Sequence, residues 1–147
     1  RLTGFEVEGR TRLVSGAPLT LDLAFTLDQV KANDLDAGEP LPRIAPLRAR
    51  LSLEASRGGL RGGVVVRHAA EQHRVPATDT ATPGYTMLDL WAGLALLAPG
   101  VPGEASAFVK VGNVTDRLGF NASSIATMRG LAPLPGRAVS AGLRWRW

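Results

Sequence analysis

The two histidines of this 147-residue chain, His68 and His73, lie in the stretch RHAAEQHRV with Glu71 between them. Imidazole and carboxylate suit zinc, which makes His68, Glu71 and His73 the chain's candidate metal ligands. Their spacing is not that of a helical zinc motif, and exposed polar residues at a strand end account for them more simply. Asp34, Asp36 and Glu39 in NDLDAGEP offer oxygens for a hard cation, but they lack the fixed spacing and closing acid of a calcium loop, so they read as solvated loop acids. Ser123 and Ser124 have no histidine and acid nearby, and neither a nucleophile elbow nor a phosphate loop occurs. No catalytic residue, no cofactor and no enzymatic activity are expected. The sequons at Asn113 and Asn121 are chance matches if the host is bacterial. With no cysteine, disulfides and thiolate metal sites are excluded.

The elements that carry these residues are legible in hydrophobic patterning. Apolar residues make up 45% of the chain but aromatics only 5%, which leaves few large side chains to fill a compact interior. The net charge of +4 is spread in alternation with apolar residues or beside acids. That is not a basic groove interleaved with stacking aromatics, and no nucleic-acid partner is expected. No stretch approaches the roughly 18 apolar residues of a membrane-spanning helix.

Period two dominates instead, which predicts β-strands. FEVEGRTRL sets Phe5, Val7, Gly9, Thr11 and Leu13 against Glu6, Glu8, Arg10 and Arg12. LTLDLAFTLD sets Leu19, Leu21, Leu23, Phe25 and Leu27 against Thr20, Asp22, Ala24, Thr26 and Asp28. LRARLSLEA (47–55), LRGGVVVRHA (60–69), MLDLWAGLAL (87–96), ASAFVKVGN (105–113) and AVSAGLRWRW (138–147) continue the pattern, to seven strands and no convincing helix. Short connections at Ser15 to Pro18, Ser56 to Gly59 and Ala98 to Gly103 alternate with long ones at Asn33 to Pro46, Gln72 to Gly84 and Val114 to Gly136.

A soluble sandwich with one face on a core also gives period two. Three features favour a membrane barrel. The apolar faces are Leu, Ala and Val, which lipid accepts and an interdigitated core does not. The strands run about 9 to 11 residues, enough to cross a bilayer when tilted. The connections alternate short and long, as in outer-membrane barrels with short periplasmic turns and long extracellular loops. A small independent barrel or a soluble sandwich with a binding or structural role is the alternative. The chain opens on strand-like RLTGFEVEGR with no leader before it, so its first residue is expected to be internal to a longer protein.

Over its whole length the chain resembles the C-terminal third of a TonB-dependent outer-membrane receptor, nearest to metal and siderophore receptors. The resemblance is carried by GFEVEGR, GEPLPRIAPLRARLSLE, PGYTMLDLWAGL, VGNVTDRLGFN and LAPLPGRAVSAGLRWRW. Most specific are the Asn-x-x-Asp element at Asn113 to Asp116 and the loop closing on Pro135 to Arg137 before an aromatic-terminated strand. The resemblance implies that residues 1–147 are the last seven strands of a 22-stranded barrel in the bacterial outer membrane, whose plug domain lies outside this sequence. It also implies uptake of a siderophore, haem, cobalamin or metal ion, energised by the TonB complex acting on the receptor's N-terminal part. The metal-importing branch often carries a histidine near APLPGR in the last long loop; NASSIATMRGLAPLPGR has none, which weakens a zinc assignment.

In that setting Glu8, Arg10, Asp22, Arg48, Arg50, Glu54, Asp89, Arg144 and Arg146 face the lumen. There they pair across strands or contact the plug, and a structural role is expected for them over substrate binding. Val139, Ala141, Leu143, Trp145 and Trp147 face lipid, with tryptophan at the interfacial girdle. By resemblance, the terminal aromatic with Leu143 and Trp145 is the signal read by the barrel assembly machinery. The other partners implied are outer-membrane lipid, the remaining barrel strands and the plug. Seven strands are one fewer than the smallest bacterial barrels, so the chain alone is not expected to form a closed pore.

Overall fold

A computed structural model describes residues 1–96 and 103–146. Seven strands follow in order: β1 (Leu2–Gly16), β2 (Leu19–Ala32), β3 (Arg48–Arg57), β4 (Leu60–Ala69), β5 (Tyr85–Leu96), β6 (Glu104–Gly112) and β7 (Ala138–Arg146). They form one antiparallel sheet in sequence order, an up-and-down meander. β1 and β2 run longer than the alternating segments 5–13 and 19–28. A single-turn helix, α1 (Ala126–Arg129), stands in the last long loop, where no helix was expected. Four residues are too few to display a 3.6-residue period.

The register sorts every strand residue onto one of two faces, because cross-strand partners share a face. Leu21, Ala55, Gly62, Ala92, Val109 and Ala141 form one continuous row, and Leu23, Leu53, Val64, Leu90, Val111 and Val139 form the next. The opposite face carries the row of Arg12, Asp22, Glu54, Gly63, Trp91, Lys110 and Ser140. One expected position differs. A bulge between Arg12 and Val14 interrupts the alternation, so Val14, not Leu13, stands opposite Leu21.

No second layer covers the apolar face among the described residues, where Leu143 is 80% exposed, Leu51 47% and Leu94 46%. A sandwich would bury these side chains beneath another sheet, and the sandwich alternative therefore does not describe this chain. Three aromatic rings lie flat over cross-strand glycines: Phe25 over Gly9, Trp91 over Gly63 and Phe108 over Gly142. A Cβ at those glycines would meet ring atoms at 2.5, 2.5 and 2.7 Å. Glycine there gives the neighbouring ring its seat and pins the register.

The connections divide the sheet's two ends. Two-residue turns, Ala17-Pro18 and Gly58-Gly59, close β1–β2 and β3–β4, with Gly58 in the left-handed region at φ 57°. Residues 33–47, 70–84 and 113–137 form the long loops at the other end. The buried residues gather at that long-loop end: Ala32, Ala69, Gln72, Pro76, Thr82, Met87, Asn113, Gly119, Ala122 and Arg129; among the described residues Val65 alone is buried in mid-strand.

Candidate functional site

The polar face is a wall of cross-strand ion pairs. Alternation places Asp22 directly opposite Arg12, which donates to it from Nε at 2.8 Å and Nη2 at 3.2 Å, with Arg10 at 3.8 Å. One row group nearer the loops, Arg48 Nη2 donates to Asp28 at 2.8 Å. Between β4 and β5 the Arg67 guanidinium holds Asp89 at 3.0 and 3.1 Å, and Asp89 Oδ1 also accepts the Asn113 N–H at 2.8 Å. All nine of the charges expected on one face share it: Glu8, Arg10, Asp22, Arg48, Arg50, Glu54, Asp89, Arg144 and Arg146. Arg12, Asp28 and Arg67 complete the ion pairs on this wall, and their partners became evident only with the register.

The loops form a hydrogen-bonded cap at the long-loop end. Gln72 Nε2 donates to the Ile44 carbonyl at 2.7 Å, and Arg74 donates to the Ala32 carbonyl at 3.2 Å and to Asn33 Oδ1, which fastens the second loop to the first. Arg129, carried on α1, reaches across to the second loop. It donates to Asp79 at 2.9 Å and the Thr80 carbonyl at 2.7 Å, and closes its own loop through the Ala122 and Ser124 carbonyls at 3.3 and 3.2 Å. Both side chains of this pair are more than nine-tenths buried. Burial pushes the Asp79 carboxyl up, but hydrogen bonds from the Thr80 N–H and Arg129, with the guanidinium charge, outweigh it and hold Asp79 below the usual carboxylate range. The sequence carried no signal for this pair: its members stand in different loops, neither in a periodic segment.

The Asn-x-x-Asp element is a backbone clamp. Asn113, in the left-handed region at φ 47°, accepts the Arg117 N–H at 2.9 Å and donates to the Arg117 and Pro135 carbonyls at 2.9 and 3.1 Å. Asp116 accepts the Arg137 N–H at 2.7 Å. Both ends of the last loop are thereby tied to the end of β6, and the chain is aimed into β7. The short side chains of Asn and Asp serve here because they tolerate positive φ and bond nearby backbone.

The three candidate metal ligands lie apart. His68 falls on the apolar face, where its Nδ1 lies 2.8 Å from Thr86 Oγ1, whereas Glu71 and His73 are exposed on the second loop. Among the described residues no three His, Cys, Asp or Glu side chains are grouped to hold a metal ion. Asp34 caps its own turn, accepting the Asp36 and Ala37 N–H groups at 2.9 and 3.2 Å, which fits a loop acid. Ser123 donates its N–H to Asn121 in a local turn. Leu143 and Trp145 lie exposed on the apolar face of β7, and Trp147 lies outside the described residues.

No family model matches the chain, and no curated protein matches it. Among solved structures it is similar to the copper transporter OprC, with a TM-score of 0.74 over 97% of this chain at 19% sequence identity. The two share a fold. The chain spans 23% of that transporter's length.

Proposed function

We propose that this chain is the C-terminal wall of a TonB-dependent outer-membrane receptor barrel, with its apolar face on lipid, its charged face on the lumen and its long loops outside the cell. The observation that carries this reading is a charge-free band. On the apolar face no Asp, Glu, Lys or Arg intervenes between the row of Arg57, opposite Leu19, and the position of Lys31, twelve residues further along β2. At about 3.3 Å per residue and a tilt of about 45°, that interval spans roughly 28 Å, close to the hydrocarbon thickness. A wet lumen accounts for the opposite face, since ion pairs such as Arg12–Asp22 keep part of their hydration there.

The edges of β1 and β7 have no partner strand in the sheet, and in hydrocarbon each unsatisfied backbone group costs several kcal/mol. The remaining strands of the barrel are the natural occupants, the plug domain fills the lumen, and the assembly machinery reads the final strand at Leu143, Trp145 and Trp147. The proposed cargo is a metal chelate, such as a siderophore or haem, or a metal ion; the shared fold of a copper transporter supports that class. Uptake is driven by the TonB complex through the receptor's N-terminal part.

This chain contributes no cysteine, so a full-length protein whose cysteines elsewhere are replaced by serine allows a direct test. Single cysteines at Val109, Lys110, Val139 and Ser140 are expected to react with a membrane-impermeant maleimide at Lys110 and Ser140 and not at Val109 and Val139. Equal reactivity at all four, in a protein recovered without membranes, would overturn the reading. Loss of cargo uptake when the TonB complex is deleted tests the energising step separately.

A further inference from the structure

We infer that the apolar face carries a binding site for a glycerophospholipid of the leaflet at the short-turn end, with Arg57 holding the phosphate and an acyl chain lying in an adjoining groove. This rests on the membrane-spanning reading above.

Among the described residues Arg57 is the one charged residue on the apolar face at that end. The parity of β3 places it in line with Ala55, Leu53 and Leu51, and its cross-strand neighbours are Leu19 and Leu60. It is exposed, and no acidic side chain is within ion-pair distance of it among the described residues. Every other strand arginine pairs with an acid or stands on the polar face. Charge on a lipid-facing surface is tolerated where it reaches the headgroup level, and an unpaired guanidinium there finds its counter-charge in a phosphate. Because β3 is flanked on both sides by strands of this same chain, no missing strand supplies an acid to Arg57.

Beside Arg57 the surface is hollow. Ala55, Gly62 and Ala92 are consecutive cross-strand partners, so three small residues meet in one row. Larger side chains wall the row on both sides, Leu53, Val64 and Leu90 toward the loops and Leu60 and Leu94 toward the turns. An open apolar groove of about 420 Å³ lies over this row and the next one toward the loops, and its lining includes Leu53, Ala55, Gly62, Val64, Leu90 and Ala92. Ala55 is two residues from Arg57 on the same strand and face, about 7 Å along it. A cation for a phosphate and a trough for a hydrocarbon chain therefore adjoin, in the order and with the polarity of a phospholipid. An uncharged detergent fills the trough but leaves the guanidinium without a counter-charge.

The test uses the full-length protein in vesicles containing phosphatidylglycerol with a photoactivatable acyl chain, and mass spectrometry of peptides spanning 48–67 and 85–96. Arg57→Gln is expected to lower labelling of these peptides about fivefold, in line with the attraction between one basic residue and anionic headgroups. Ala92→Leu, which fills the groove and leaves the charge, is expected to lower it to a similar extent, and Arg57→Lys to keep it within about twofold of the parent. Labelling that survives either Arg57→Gln or Ala92→Leu overturns the site while leaving the barrel reading intact. Failure of the parent protein to enter vesicles at all overturns the barrel reading and the site with it.

Discussion

The two ends of the sheet follow different physical rules. At the short-turn end two residues reverse the chain between β1 and β2 and between β3 and β4, and the flanking side chains stay exposed. At the long-loop end buried polar residues, an internal ion pair and a network of side-chain-to-backbone bonds knit the three loops into a cap. The membrane reading explains the division. A lipid-facing wall needs an apolar exterior and satisfied backbone bonds, both of which the strands provide without a packed core. Loops in water have no such surroundings and must bury their own polar groups against one another, as a soluble protein does.

The contrast is broken most severely by Arg129→Ala. It strands the Asp79 carboxylate in a buried site, and removing one member of a buried pair costs about 3–5 kcal/mol. Hydrogen exchange across residues 70–84 and 114–137 is expected to accelerate together while β2 to β5 keep their protection. Uniform acceleration would mean that cap and wall are one cooperative unit.

Charge on the wall is expected to come next. Leu90→Arg places a guanidinium mid-strand on the apolar face and is expected to destabilise by about 2–4 kcal/mol, whereas Ser140→Arg on the polar face costs little. Denaturant unfolding in lipid vesicles checks the pair, and equal effects would erase the distinction between the faces.

Asn113→Ala removes both Nδ2 bonds and one accepted bond, and leaves alanine at positive φ. A loss of about 1–3 kcal/mol is expected, localised to the last loop and the start of β7 by exchange measurements.

The pH response of the cap is expected to be smaller still over the accessible range. Asp79 titrates below its unfolded value of about 3.9, so its stabilisation is fully present above that value and is lost only as pH falls through the lower folded value. Exchange of residues 70–84, corrected for intrinsic rate, should stay flat from pH 7 to about pH 5 and rise only in stronger acid. A rise already between pH 7 and pH 5 would count against the Asp79–Arg129 pair as the contact that holds the cap.

The wall was largely legible in the sequence and the cap was not. The alternation of Leu19 through Asp28 or of Val139 through Arg146 is a local pattern, and a pleated strand turns it into two faces without further information. The pattern failed at Leu13 and Val14, where a bulge shifted the parity. In the less regular β4 it still set Arg61, Gly63, Val65 and Arg67 on one face, and pairing with Ala49 and Thr86 places His68 on the other, among apolar neighbours. The Asn113 to Asp116 element stood out by its residues, but its work as a clamp depends on Asp89 in β5 and on Pro135 and Arg137 at the far end of the loop.

By itself the sequence determined the number and order of the strands, the apolar and charged sides of the sheet, and the alternation of short and long connections. Each of these follows from residues within a few positions of one another. Tertiary structure alone decided that Arg129 meets Asp79, that Arg12 and Arg67 hold Asp22 and Asp89, and that Ala55, Gly62 and Ala92 open a groove beside Arg57. Those meetings depend on register and on the path of loops, and register is set by all the cross-strand contacts at once.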